Sequence, residues 1–376
     1  MTLAPEFRSK ESTEFLRERG VVARMFPHLV AQREAMSDLE AALTAVLGRE
    51  YLHTSGGRPT VSDEEFLQDH FFLILFRAFF ETLGARDRID FYTQVNICIK
   101  GIITAADNLF DQEFKELIPL KLGSGKTFGS IMQLMSFERL LTHLGLQGAR
   151  AGKFDIDQFQ HFNRELLNRL AFIGSLEGSE EDGVTTTPKM TEMIDSVHRV
   201  RGGSLFSLAF AAPIEFEEDM DRWVAGEKAL ARLGTAFQIV DDLTDFEFDL
   251  HRRSHNLLCS AIMEHGSDAE RAKLKALKAA VLEAGEEWEA HRDEIFGAGD
   301  VIDREFSGPA LEVLKREIDG GKKKLGIFYG AGHLSDMNKR LVADFGLKKE
   351  SERWITAWSL EKPAKKKPEP KAEKAE

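Results

Sequence analysis

Cysteine is scarce: Cys98 and Cys259 are the two in 376 residues. Two isolated cysteines with no C-x-x-C spacing argue against a disulfide framework and against a zinc site, and point to a reducing, cytoplasmic compartment. A long hydrophobic run is also missing. The most apolar stretch, HFFLILFRAFF at 70–80, is interrupted by Arg77 and falls far short of the ~20 residues that a membrane span requires. The first twenty residues are charged and carry no apolar core of the kind a signal peptide needs. Basic charge is in deficit, with 50 Lys and Arg against 63 Asp and Glu and a net charge of -13. That balance argues against nucleic acid as a partner. It does not argue against diphosphates, provided a divalent metal mediates the contact. No repeat recurs at solenoid spacing.

Apolar spacings of three and four dominate, and strict alternation is rare. Segments near 12–47, 62–84, 87–114, 125–145, 155–176, 189–211, 218–248 and 268–292 are expected to be helices. Short connectors rich in Gly or charge separate them, and Pro188 and Asp219 fit helix N-termini. Long helices with short loops predict an all-α bundle. Phenylalanine is abundant, 28 against 3 tyrosines. Core packing accounts for most of these rings, and several could line a pocket for a hydrocarbon tail.

The strongest local signal is FQIVDDLTDFEFD at 237–249. Asp241, Asp245 and Asp249 stand at i, i+4 and i+8 and so share one helix face, with Asp242 beside them. Like charges at i,i+4 repel. The neighbours Phe237, Ile239, Val240 and Leu243 are apolar, so this is not simply a solvated acidic face. Mg²⁺, which takes carboxylate oxygens and keeps waters and substrate phosphates, is the natural counter-charge. A second cluster, ITAADNLFDQE, carries Asp107 and Asp111 at i,i+4 with Asn108 between. It is weak alone and gains weight as the partner of the first, since two such clusters on facing helices can hold metal between them.

The segment AFQIVDDLTDF resembles the second aspartate-rich motif, F-Q-x-x-D-D-x-x-D, of the trans-isoprenyl diphosphate synthases, or polyprenyl synthetases, of the class I isoprenoid synthase superfamily. RGGSLFSLAF at 201–210 is similar to that family's K-T-x-x-L-F segment. SGGRPT at 55–60 looks like a shortened G-G-K-R-x-R-P motif, and DNLFD stands where the first D-D-x-x-D would be. The segment GKTFGSIMQLMSFERLL at 125–141 is similar to the family's stretch after that first motif. The resemblance spans roughly residues 50–260. It implies an isoprenoid synthase-type helical bundle around a central cavity, Mg²⁺ as cofactor and a homodimer. Allylic prenyl diphosphate and isopentenyl diphosphate would be the substrates.

By the same resemblance, Asp107 and Asp111, with Asn108, would bind Mg²⁺ at the allylic diphosphate. Asp241, Asp242, Asp245 and Asp249 would bind a further Mg²⁺, and Arg201 would contact the departing diphosphate. Arg58, Lys121 and Lys126 are the candidates for the isopentenyl diphosphate site, and Arg253 is a further candidate for substrate binding. The chain departs from the family pattern at Asn108, at the missing Arg pair after the first motif, and at the shortened GGRP. The last two losses fall on the isopentenyl side. Two other readings stay open: a class I terpene synthase that ionises without elongation, whose second metal motif has the spacing of Asp241, Asp245 and Asp249, and a non-catalytic partner subunit.

Other signals are set aside. LGSGKT lacks the first Gly of a P-loop, Leu120 standing in its place, and no strand precedes it. His70, His143, His161 and His198 are read as satisfied or exposed, and His333 as a loop residue. The expected organisation is an isoprenoid synthase-like domain over 1–320, a small strand-turn-helix-strand appendage over 321–360, and a Lys/Glu/Pro tail over 361–376 with too little to bury to fold.

Overall fold

The computed structural model describes residues 17–18, 20–53, 61–110, 114–123 and 125–297, together with a few positions beyond (301, 315, 318–321, 341–343, 345–348). The expected tail and nearly all of the expected appendage lie outside the described residues, as do Arg58, Asp111, His333 and the first part of the helix expected from residue 12.

The described residues form an all-α bundle, with one isolated antiparallel bridge between Leu52 and Leu120. Helices α1 (Val21–Ala42), α2 (Asp63–Leu83), α3 (Ile89–Phe110), α4 (Lys126–Arg150) and α5 (Ile156–Gly178) follow the apolar spacing. A composite run over 190–216, here α6, includes a π-helical stretch at Met193–Ser204. Then come α7 (Met220–Thr244), α8 (Phe246–Arg252), α9 (Leu257–His265), α10 (Asp268–Ala284) and the single turn α11 (Arg292–Ile295). None of the helices is long and apolar enough to cross a membrane among the described residues.

Local chemistry accounts for the boundaries. Ser62 with Glu65, Asp155 with Gln158, and Ser267 with Glu270 form capping boxes at the starts of α2, α5 and α10, each satisfying donors that a helix start leaves open. Asp219 caps α7, as its position in the sequence suggests. Two expectations needed correction. The helix expected over 268–292 stops at Ala284, where Gly285 takes a positive φ of 57°. The expected 218–248 helix is two helices, broken at Asp245. Helix α9, capped by Asn256, was not anticipated.

Two apolar cores result. The larger joins α1 to α7 and contains Phe72, Phe80, Tyr92, Phe137, Phe206, Phe210 and Trp223 among its buried residues. The smaller gathers Phe246, Leu250, Leu274, Val281, Trp288 and Phe296 from the C-terminal helices. Most of the rings in contact are packed against one another. Phe154 and Phe216, for example, stack with centroids 4.3 Å apart.

Helices α6 and α7 approach until their backbones touch. A Cβ added at Gly202 would strike the carbonyl oxygen of Gly234, and one added at Gly234 would strike the carbonyl of Gly202. Backbone cannot swing aside as a side chain can, so only glycine fits at either position. Replacing Gly202 by Ala should force the helices apart and cost on the order of 2 kcal/mol or more, by overpacking. Urea unfolding of Gly202→Ala against the parent measures this, and equal midpoints would show that the helices slide apart freely.

Candidate functional site

The acidic face lies on the last turn of α7 and continues into α8. The backbone breaks at Asp245 (φ -102°, ψ 13°), yet the hydrogen-bond ladder runs on. The Asp245 amide donates to the Asp241 carbonyl at 2.8 Å, and the Asp249 amide to the Asp245 carbonyl at 2.8 Å. Asp241, Asp245 and Asp249 therefore keep their i,i+4,i+8 alignment across the break. The face stands where the larger core ends and the smaller begins, with Phe237 packed on the first and Leu243 on the second.

The four aspartates do not play equal parts. Asp242 is turned inward and buried. Its Oδ2 meets His198 Nε2 at 2.7 Å and accepts from the Leu257 amide at 2.5 Å, while Gln238 Nε2 reaches its Oδ1 at 3.4 Å. Asp242 thus binds α6, α7 and the start of α9 together, and its oxygens are spent on protein donors. Asp249 accepts from Asn256 Nδ2 at 2.8 Å, and the same amide group donates to the Asp242 carbonyl at 2.6 Å. Asp241 accepts from Gln238 Nε2 at 2.9 Å.

Charge on this face is poorly compensated. Asp241 keeps contact with water while protein surrounds it on most sides. That burial, with the charges of Asp245 and then Asp242, pushes its carboxyl up to about 6 against the opposing pull of Gln238 and Arg201. Burial raises Asp249 well above the usual carboxylate range. The charges of Asp242 and Asp245 add to this, while the Asn256 hydrogen bond and Arg201 oppose it. These mutual influences place Asp241, Asp249 and Arg201 within electrostatic reach of one another.

Arg201 is nevertheless engaged. Its Nε donates to Glu177 Oε1 at 2.7 Å, and its Nη2 donates to Glu180 Oε1 at 2.8 Å. Glu180, buried at the end of α5, also accepts from the His255 amide at 3.1 Å and pairs with His255 Nδ1 at 2.6 Å. Burial alone would raise the Glu180 carboxyl. Hydrogen bonds from His255 and the charge of Arg201 outweigh it and hold the group at about 2. Arg253 closes α8 in a left-handed conformation (φ 56°). Its guanidinium donates to the Asp182 carbonyl, and its own carbonyl accepts from the Val184 amide at 2.7 Å. Segments 180–184 and 253–256 are thereby clasped together beside the acidic face.

On the other acidic motif, Asp107 is exposed near the end of α3. Asn108 is buried, and its amide both donates to the Lys115 carbonyl (3.1 Å) and accepts from the Lys115 amide (3.0 Å). This reciprocal pair explains the residue type, since a carboxylate cannot donate. The side chain, expected from the sequence to be a metal ligand, clips the following segment to α3 in this structure. Lys121 and Lys126 are exposed. The Lys121 amide donates to the Tyr51 carbonyl at 2.7 Å, so Lys121 lies beside the chain leading into 54–60, the segment that contains Arg58.

Sequence reasoning missed Glu177, Glu180, Gln238, His255 and Asn256. His198 is neither exposed nor fully satisfied, because it is buried and its Nδ1 has no hydrogen-bond partner. Among the described residues no three acidic, His or Cys side chains converge closely enough to cage a metal on their own. Mg²⁺ is usually held by one or two carboxylates together with waters and substrate phosphates. A row of carboxylates spaced by helix turns, with Asp241 and Asp249 held above their ordinary range, fits that demand. A cleft elsewhere, between α1, α2, α3 and α4, is lined by Met36, His70, Ile97, Lys100 and Phe137 and includes none of the aspartates.

Two measurements check this geometry. Asn108→Asp removes the donor to the Lys115 carbonyl and buries a charge. It should cost about 1–3 kcal/mol in denaturant unfolding, and a variant as stable as the parent would contradict the clip. Asp241 takes up its proton near 6 in the folded chain, against an ordinary 3.8. Its ionised form therefore opposes folding above pH 6, and that cost is relieved as pH falls through 6. Without metal, Asp241→Asn should melt about 2 °C higher than the parent at pH 7.5, the gain kept small by solvent screening. The gain should vanish near pH 4, and a pH-independent difference would mean that Asp241 is ordinary.

No protein-family model matches the chain, and no curated protein is similar to it. The chain is similar to a solved structure of geranyltranstransferase from Thermotoga maritima, with 16% sequence identity and a TM-score of 0.42, over 78% of this chain and 99% of that one.

Proposed function

We propose that the chain is a Mg²⁺-dependent prenyltransferase that ionises an allylic prenyl diphosphate and condenses it with isopentenyl diphosphate. The observation that carries this reading is the continuous face of Asp241, Asp245 and Asp249 beside Arg201, on which the carboxyls of Asp241 and Asp249 are pushed above their ordinary range by burial and by the neighbouring aspartates. Magnesium, when bound, supplies positive charge to the diphosphate as its C–O bond breaks.

The residues of the chain have separate tasks. Asp241, Asp245 and Asp249 form the acidic rim. Gln238 and Asn256 orient two of them through amide hydrogen bonds. Arg201 provides the protein's own cation next to the rim. Beneath it, Phe237 stands one helical turn before Asp241. Phe237 packs on Phe72 (centroids 5.0 Å) and stacks on Phe206 (5.9 Å). These rings are proposed to meet the hydrocarbon chain, where their π faces would stabilise positive charge left on the allylic carbon. The electron pair of the broken bond leaves with the diphosphate, and the double bond of the second substrate attacks the cation, after which a proton is lost. Asp107 and Asp111 are proposed to hold the allylic diphosphate from the other side, and Arg58, Lys121 and Lys126 the isopentenyl diphosphate.

One observation favours a second reading, ionisation without elongation. Asp242 is used to join helices, which leaves ligands at spacings 0, 4 and 8, the pattern implied for class I terpene synthases.

Incubation of purified protein with Mg²⁺ and geranyl, farnesyl or geranylgeranyl diphosphate, with and without isopentenyl diphosphate, separates the readings. Longer diphosphates are expected. Hydrocarbon products formed without isopentenyl diphosphate would establish the second reading instead, and no turnover in any mixture would point to a non-catalytic partner subunit. Asp245→Ala should lower turnover at least a hundredfold (about 2.7 kcal/mol in the barrier) with the fold retained. Near-parental rates would remove this face from the mechanism.

A further inference from the structure

Arg201 is the protein cation nearest the acidic rim that the described contacts reveal, and two carboxylates hold it. Glu177 comes from the last turn of α5, and Glu180 lies just past its end. Both accept hydrogen bonds from the same guanidinium, at 2.7 Å and 2.8 Å. The guanidinium charge is thus shared between two carboxylates, one of them also paired with His255, and the group lies within electrostatic reach of Asp241 and Asp249. A bare anion approaching this side therefore meets these carboxylates as well as the arginine. Glu180 is anchored independently by His255, through the backbone amide and the ring nitrogen. It cannot simply follow Arg201 toward a ligand.

We propose that Glu177 and Glu180 are specificity-determining residues: they hold the charge of Arg201 in balance so that the site accepts diphosphate only as its Mg²⁺ complex and rejects metal-free phosphate anions. The inference rests on the proposed function, because it takes the ligand of the site to be a diphosphate. Physically, a metal-bound diphosphate brings positive charge to Asp241 and Asp249, whose carboxyls are held above their ordinary range. It can then compete for one edge of the Arg201 guanidinium, which presents several donors in a fixed plane. A free diphosphate has only Arg201 to gain, and must displace two carboxylates already hydrogen-bonded to it. The arrangement also bears on order of binding, since diphosphate is favoured once metal accompanies it. Neither glutamate touches the reacting atoms; both act through Arg201.

The test is calorimetric titration of the full-length protein with inorganic diphosphate, in the presence of MgCl₂ and again in EDTA. The parent should bind with Mg²⁺ and at least tenfold more weakly without it. Glu180→Gln and Glu177→Gln should each strengthen metal-free binding about tenfold, roughly the weight of one charge-assisted hydrogen bond. The gain should disappear when Arg201→Ala is added to either. Glu177→Gln leaves the bonds between Glu180 and His255 in place, so it serves if Glu180→Gln does not fold. Metal-free affinity that is unchanged or weaker in the glutamate variants overturns the proposal, as does a gain that survives loss of Arg201. If the variants gain diphosphate binding as expected while no allylic diphosphate is turned over, the prenyltransferase reading fails and this inference stands. If turnover is found but the glutamate variants gain nothing, this inference alone fails.

Discussion

The contact on which the rest of the site depends is the close approach of α6 and α7 at Gly202 and Gly234. With no Cβ on either helix at the crossing, each meets the carbonyl of the other. That proximity lets buried His198 on α6 reach Asp242 on α7 at 2.7 Å. It also brings Arg201, three residues further along α6, within the field of the acidic rim. The π-helical winding of Met193–Ser204 contributes, because it changes which side chains share a face: His198 is directed to α7 and Arg201 to the end of α5. π-Helical segments are rare and recur at functional sites, and here the segment carries His198 and Arg201, which reach Asp242 and Glu177 respectively.

The second constraint is electrostatic. Burying carboxylates without partners is costly, and the chain divides the problem among them. Asp242 is satisfied fully by protein donors and becomes structural. Asp249 and Asp241 receive one amide each, from Asn256 and Gln238, which orients them and leaves them short of positive charge. The nearby Arg201, which could have balanced them, is shared with Glu177 and Glu180 instead. A fold that merely needed stability would have paired Arg201 with the rim.

Phenylalanine links these layers. Phe206 lies beyond Arg201 on α6, and Phe237 precedes Asp241 on α7. The two rings stack, with Phe72 of α2 set edge-on against both. Arg201 and Phe206 thus share α6, and Asp241 and Phe237 share α7, so a shift of α6 against α7 moves the charged groups and the rings together. The clasp between 180–184 and 253–256 closes the other side, through Glu180, His255 and Arg253.

Much of this was legible in the sequence. Periodicity reported the helices, because amphipathic spacing is a local property. The i,i+4,i+8 alignment of Asp241, Asp245 and Asp249 could be computed from helix geometry alone. What a lone residue does when several partners compete for it was not legible. Asp241 and Asp242 are adjacent and chemically identical, yet one faces the rim and the other joins three helices, because the crossing of α6 places His198 and the start of α9 on only one side. Asn108 looked like a weakened ligand, and only its reciprocal bonds to Lys115 identify it as a clip. Glu177, Glu180 and His255 carry no motif, since chain folding gathers them around Arg201 through bonds that span 21 to 75 residues of sequence. The sequence by itself determined the helical class and the acidic face, both products of short-range geometry. Tertiary structure alone decided which of the charges are spent within the protein, because electrostatic partnership depends on distance in space and not on spacing along the chain.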